Sequence, residues 1–217
     1  MTPHLLSRTN SLEAERRAYG WPAGRADLHW HVLFDPAVVQ ERLVVPYREI
    51  THRAGVAPVE ARWVHATVMH GGPVERYEAG EIGAITERVR QEAADIEPFD
   101  LVLDRPTISR LGVECTARAG APARRLWELT TRIDAEVTGA RFPTIPSVYY
   151  PHLSLAYGVA GEERADRRAM KAAMPDLDPP GEPVVLRAER MSLVAQSHDR
   201  QFITWNHLAD VPLHGGR

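Results

Sequence analysis

The chain has 217 residues, 44% of them hydrophobic, with 26 basic against 29 acidic side chains and a formal net charge of −3. That composition is globular rather than disordered and supports a core without staples. The charge is too balanced for a global pull toward nucleic acid or an anionic membrane. The one cysteine, Cys115, excludes an internal disulfide framework and a multi-cysteine zinc site, so a reducing compartment is expected.

Residues 1–27 read as an N-terminal extension, in which Asn10 and Glu13 form a capping box for a short helix ended by Gly20. Neither this segment nor any later apolar run has the length and freedom from charge of a signal peptide or a membrane span. A cytoplasmic protein without membrane contact is expected. All basic residues but Lys171 are arginine, which fits a composition bias of the genome.

From Leu28 the chain alternates strand and helix signals. LHWHVLF (28–34) reads as a strand closed by Asp35-Pro36, and 36–53 as a helix that Pro46 kinks or splits. RWVHATVM (62–69) is a strand stopped by Gly71-Gly72-Pro73. Ile82, Ile85, Val89 and Ile96 recur at helical spacing. Strands follow over 99–104 and 108–117, with Cys115 as a small buried hydrophobe. Leu126, Leu129, Ile133 and Val137 mark a second helix ended by Gly139. SVYYPHLSLAY (147–157) is a strand and 163–173 a weak helix. Asp178-Pro179-Pro180-Gly181 forms a turn, and 183–197 with 201–208 closes the chain as a hairpin around His198-Asp199-Arg200. Adjacent strands without crossovers point to an α+β fold with mainly antiparallel pairing.

Two of these strands carry the chemistry. One holds His65-Ala66-Thr67-Val68, the other His152-Leu153-Ser154-Leu155, both H-x-[ST]-apolar. Residues two apart on a strand share a face, so His65 emerges beside Thr67 and His152 beside Ser154, while the intervening residues anchor a core. Among ten histidines two such tetrapeptides mean little by count. Their context sets them apart, since each lies in an apolar strand, after a helix, in opposite halves. Facing across a groove, two imidazoles suit in-line displacement at phosphorus. One takes a proton from the attacking oxygen and the other gives one to the leaving oxygen, while the hydroxyls hold the non-bridging oxygens. Histidine serves both roles because its ordinary pKa lies near neutrality. No metal or other cofactor is needed, and which histidine is base and which acid stays open.

On HATV at 65–68 and HLSL at 152–155, the chain resembles the 2H phosphoesterase superfamily, which includes the LigT-like "2'-5' RNA ligase" proteins and the cyclic phosphodiesterases. The resemblance spans about Leu28 to Leu213. It implies one bilobal domain over 28–213 with a short tail at 214–217, two mainly antiparallel sheets around a central cleft, and helices outside. It also implies His65 and His152 as catalytic residues and Thr67 and Ser154 as phosphate-binding hydroxyls. The implied activity is metal-independent phosphodiester hydrolysis, foremost of a 2',3'-cyclic phosphate on an RNA end or nucleotide to a 2'-phosphate, by a monomer. Cleavage or ligation of 2'-5' linkages and a catalytically silent RNA- or nucleotide-binding module are the alternatives. The chain departs from many relatives in its residues 1–27 and in Met69-His70-Gly71-Gly72 after the first motif. His70 is expected in a loop there, at most near the cleft mouth.

Lesser candidates surround these. His29 and His31 share one face of the first strand. As H-x-H they fit part of a zinc site, yet no acidic or cysteine cluster completes it, and a structural or cleft-lining role is the better reading. His31 lies beside the cleft if the first strand neighbours the motif strand. Tyr150, on the face of His152, is a candidate base-stacking contact. Trp63, on the face of His65, leans toward the core, and Tyr157 is structural. Arg124-Arg125 and Arg164 with Arg167-Arg168 are ordinary solvated helix faces.

Overall fold

A computed structural model describes residues 22, 24–109, 111–143, 148–159, 165–174, 183–198 and 202–215. The expected helix around Asn10 and Gly20, Arg164, the 178–181 turn, the tip of the closing hairpin and the last two residues lie outside them.

The described residues form ten strands: β1 Ala26–Leu33, β2 Val56–Pro58, β3 His65–Pro73, β4 Phe99–Leu103, β5 Thr107–Ile108, β6 Gly112–Thr116, β7 His152–Gly158, β8 Val184–Ala188, β9 Arg190–His198 and β10 Ile203–Pro212. The α-helices among the described residues are α1 Pro36–Val39, α2 Arg48–Thr51, α3 Glu81–Ala93, α4 Ala121–Thr138 and α5 Arg167–Ala173. Every strand pairing is antiparallel, and the sheet order is β10-β9-β1-β3-β7-β6-β5 with β2 also on β7. Where the resemblance implies two sheets, the strands β10-β9-β1-β3 and β2/β7-β6-β5 form the two halves of one continuous sheet. They meet through the pair Ala66↔Leu153, between the two motif strands. Strands β4 and β8 form a separate ribbon, buried at alternate positions.

The helices follow from local signals. Asp35 caps α1 by accepting from the Ala37 N–H at 2.8 Å, with Pro36 in the first turn. The chain continues through a π-helical turn, Gln40–Val44, and breaks around Pro46, which has no N–H for an interior helical bond. Val39, Leu43, Tyr47 and Ile50 carry its buried stripe. In α4 the stripe is Ala123, Leu126, Leu129 and Ile133, and Gly139 ends the helix with a left-handed φ of 65°. Helices α3 and α4 pack together under an exposed lattice of ion pairs, Arg88–Glu136 and Arg132–Glu92 among them. Cys115 is fully buried, and burial pushes its thiol up to about 12.

Strand β3 does not stop at Gly71-Gly72-Pro73 as expected but pairs as far as Pro73, opposite Asp27. These glycines serve close approach rather than a turn. A Cβ on Gly72 would lie 2.1 Å from the Phe142 ring. The Gly72 N–H donates to the Tyr77 hydroxyl oxygen at 3.1 Å, and that hydroxyl donates to the Asp134 carboxylate on α4 at 2.9 Å. The end of the motif strand is thereby tied to the helical layer.

Candidate active site

Antiparallel pairing centred on Ala66↔Leu153 makes the two motifs related by an approximate two-fold axis. Extended by one residue either way, that register sets His65 across from Ser154 and Thr67 across from His152, so the four residues share one sheet face. Ala66 and Leu153 are fully buried on the opposite face and hold the crossing in the core. The structure thus brings together the four residues singled out in the sequence.

The two imidazoles are held alike. His65 Nδ1 lies 2.8 Å from the Trp63 carbonyl oxygen and His152 Nδ1 lies 3.1 Å from the Tyr150 carbonyl oxygen. A carbonyl can only accept, so each Nδ1 carries its proton and each Nε2 is left for chemistry. Their surroundings differ. His65 is 7% exposed and His152 half-buried. Burial, reinforced by repulsion from His152 and His70, lowers the His65 pKa to about 4, so it is neutral at pH 7.

His65 also ends a row of rings. Its face stacks on His31 at 4.1 Å between centroids and 24° between planes. His31 meets His29 edge-on at 5.6 Å, and His29 meets His70 at 4.3 Å. Trp205 of β10 stands edge-to-face on His65 at 4.9 Å, on His31 at 5.1 Å and on Trp63 at 4.8 Å. Burial also holds His29 and His31 well below the ordinary histidine value. Gln196 biases His31 slightly toward its charged form, but no partner reaches either His31 nitrogen in hydrogen-bond geometry.

This geometry corrects the expectation for His70. It lies on β3 on the face of His65 and Thr67, rather than in a loop. Thr67 pairs with His31 and Met69 with Trp30, so Val68 is an extra residue, a β-bulge. The bulge turns Met69 into the core and brings His70 opposite His29. Trp63 is likewise off the strand, on a 3-10 turn at Ala61–Trp63, half-buried against Trp205. Tyr150 precedes β7 and is 61% exposed, while Tyr157 is buried as expected. Sequence reasoning assigns Trp205 no role. Its face in the hairpin is legible there, but the placement of that hairpin beside β1 is not.

Replacing Trp205 with alanine is expected to let water reach His65. The acid limb of kcat/KM, which reports the free enzyme, should then move up from near pH 4 toward the ordinary value. A limb that does not move would show that the indole has no part in enclosing His65.

As for metal, His29 Nδ1 is committed to the Asp27 carbonyl oxygen at 3.1 Å. The histidines meet as ring faces and edges rather than with converging lone pairs. Among the described residues no three His, Cys, Asp or Glu side chains are placed to hold an ion.

The sequence matches the model of the 2'-5' RNA ligase superfamily over residues 35–200, most of the chain. The chain belongs to that superfamily. Its fold agrees with solved structures of this 2H phosphoesterase group. TT0787 of Thermus thermophilus aligns at 18% identity and TM-score 0.67, over 88% of this chain and 100% of that one. LigT of E. coli complexed with 3'-AMP aligns at 17% identity and TM-score 0.60, over 87% and 98%. The same protein complexed with ATP gives 17% and 0.59, over 87% and 98%. No curated protein matches the sequence. Superfamily membership supports a phosphodiesterase- or ligase-like activity for this 2'-5' RNA ligase superfamily protein. Among the described residues no helix is long and apolar enough to cross a membrane.

Proposed function

We propose that this protein is a metal-independent phosphodiesterase that opens a 2',3'-cyclic phosphate on a nucleotide or RNA end to leave a 2'-phosphate. The observation that carries this reading is the Ala66↔Leu153 pair, which sets the two H-x-[ST] motifs antiparallel on one face with both imidazoles held through Nδ1. His65 is neutral and enclosed, so its Nε2 accepts a proton from water as the water oxygen bonds to phosphorus. The bond from phosphorus to the 3'-oxygen breaks in line, and His152, entering the step as the imidazolium with its second proton on Nε2, gives that proton to the 3'-oxygen and ends neutral while His65 ends charged. Thr67 and Ser154 donate to the non-bridging oxygens as charge accumulates there. A nucleotide substrate is supported by E. coli LigT, a protein of the same fold, which has been crystallised with 3'-AMP, NADP+ and ATP. Tyr150, exposed just before β7, is the proposed base-stacking contact.

The test is hydrolysis of 2',3'-cyclic AMP and of cyclic-phosphate-ended RNA, with the product identified by 31P NMR. A 2'-phosphate is expected. A 3'-phosphate would place the leaving oxygen wrongly, and no turnover of either substrate would overturn the reading. Thr67→Val, which removes the hydroxyl and little else, should lower kcat roughly 10- to 100-fold. Unchanged kcat would remove Thr67 from the phosphate site.

A further inference from the structure

We propose that His70 is a third substrate-touching imidazole of this cleft, donating a ring N–H to a non-bridging oxygen of the scissile phosphodiester. The inference rests on the phosphodiesterase reading above and adds to it a donor outside both motifs.

The geometry is unusual for a residue that follows the first motif. Strict alternation from His65 and Thr67 would leave residue 70 on the core face with Val68. The bulge at Val68 reverses the alternation, so His70 emerges on the cleft face opposite His29. The ring is anchored there by its contact with His29 at 4.3 Å. It is half-buried rather than enclosed. Through His29 and His31 the His70 ring continues the row that ends on His65. Thr67 stands between His65 and His70 on the same strand face.

A group in that position has a definite chemical use. The cyclic phosphodiester is a monoanion, and a pentacovalent transition state gathers further negative charge on its non-bridging oxygens. A fixed N–H directed there strengthens as the charge develops and so acts on kcat rather than on binding. A neutral imidazole does this without competing for the proton that His65 takes up. Burial, with repulsion from His152, lowers the His70 pKa to about 4, which keeps it neutral at working pH.

His70→Phe retains a flat ring against His29 but has no donor, and His70→Gln retains an N–H. With 2',3'-cyclic AMP we expect the phenylalanine variant to lose roughly 10- to 100-fold in kcat with KM within about 3-fold, and the glutamine variant to recover at least part of that loss. A phenylalanine variant with wild-type kcat, or a glutamine variant as slow as phenylalanine, would overturn the assignment. Wild-type protein titrated with adenosine 2'-monophosphate supplies a readout that needs no variant to fold, in which the His70 Hε1 resonance must shift on saturation. A resonance that stays in place overturns the contact. Absence of any wild-type hydrolysis, with that resonance still shifting, would overturn the phosphodiesterase reading and leave His70 as a phosphate ligand.

Discussion

His65→Ala and His152→Ala should each lower kcat for 2',3'-cyclic phosphate hydrolysis by roughly 10²- to 10⁴-fold, the range of a positioned general acid or base. The double variant should be little worse than the poorer single one, because the two proton transfers belong to one displacement and their losses are not additive. Nucleotide affinity should change little in either single variant, since Thr67 and Ser154 still offer their hydroxyls. The pair is also distinguishable by pH. Loss of the base leaves hydroxide as a substitute nucleophile, so residual activity of His65→Ala should climb with pH. His152→Ala has lost the proton of the leaving group and should not be rescued that way. Unchanged turnover in both single variants would show that the hydrolysis does not run through these two histidines. The same rate-against-pH slope in both would exchange or erase the roles assigned to them.

A second large effect follows from the row of imidazoles. His65 binds its proton with a pKa of about 4 in the folded protein against about 6.5 when exposed, because burial disfavours the charged ring. The unfolded chain therefore binds more protons below pH 6.5, and stability falls as pH drops through the window from about 6.5 to about 4. Each tenfold change in proton affinity is worth ~1.4 kcal/mol, so His65 alone contributes a loss on the order of 3 kcal/mol at the acid end. His29, His31 and His70 shift in the same direction and add to it. At a few degrees per kcal/mol for a chain of this size, Tm should fall by roughly 10–20 °C between pH 7.5 and pH 5. His31→Phe keeps the stack under His65 and removes one titrating ring, so its Tm should fall less over the same interval. A flat Tm in the wild type would mean that the row is hydrated or relaxes when protonated.

The parts of the site that were legible in the sequence are those governed by local alternation. H-x-[ST] on an apolar strand has one geometric outcome, a side-by-side imidazole and hydroxyl, and both motifs obey it. The split of the 36–53 helix at Pro46 and the Gly139 stop follow from similarly local constraints. What escaped depends on partners far along the chain. The bulge at Val68 exists only in relation to β1, so nothing in Met69-His70-Gly71 announces the change of face. Trp205 meets His65 because β9 pairs with β1, and a hairpin pattern does not specify which strand it will join. The glycines at 71–72 read as a turn because close approach to Tyr77 and Phe142 looks identical in sequence. His31 was legible only conditionally, and the condition, β1 beside β3, is met.

His65 and His152, on the paired strands β3 and β7, carry both proton transfers of the reaction without a metal ion. Hydrolysis of 2',3'-cyclic AMP measured in excess EDTA, wild type beside the His65→Ala/His152→Ala double variant, tests this most directly. Undiminished turnover in the wild type together with its loss in a folded double variant is the expected result. Wild-type turnover abolished by EDTA, or a double variant as active as the wild type, would contradict it.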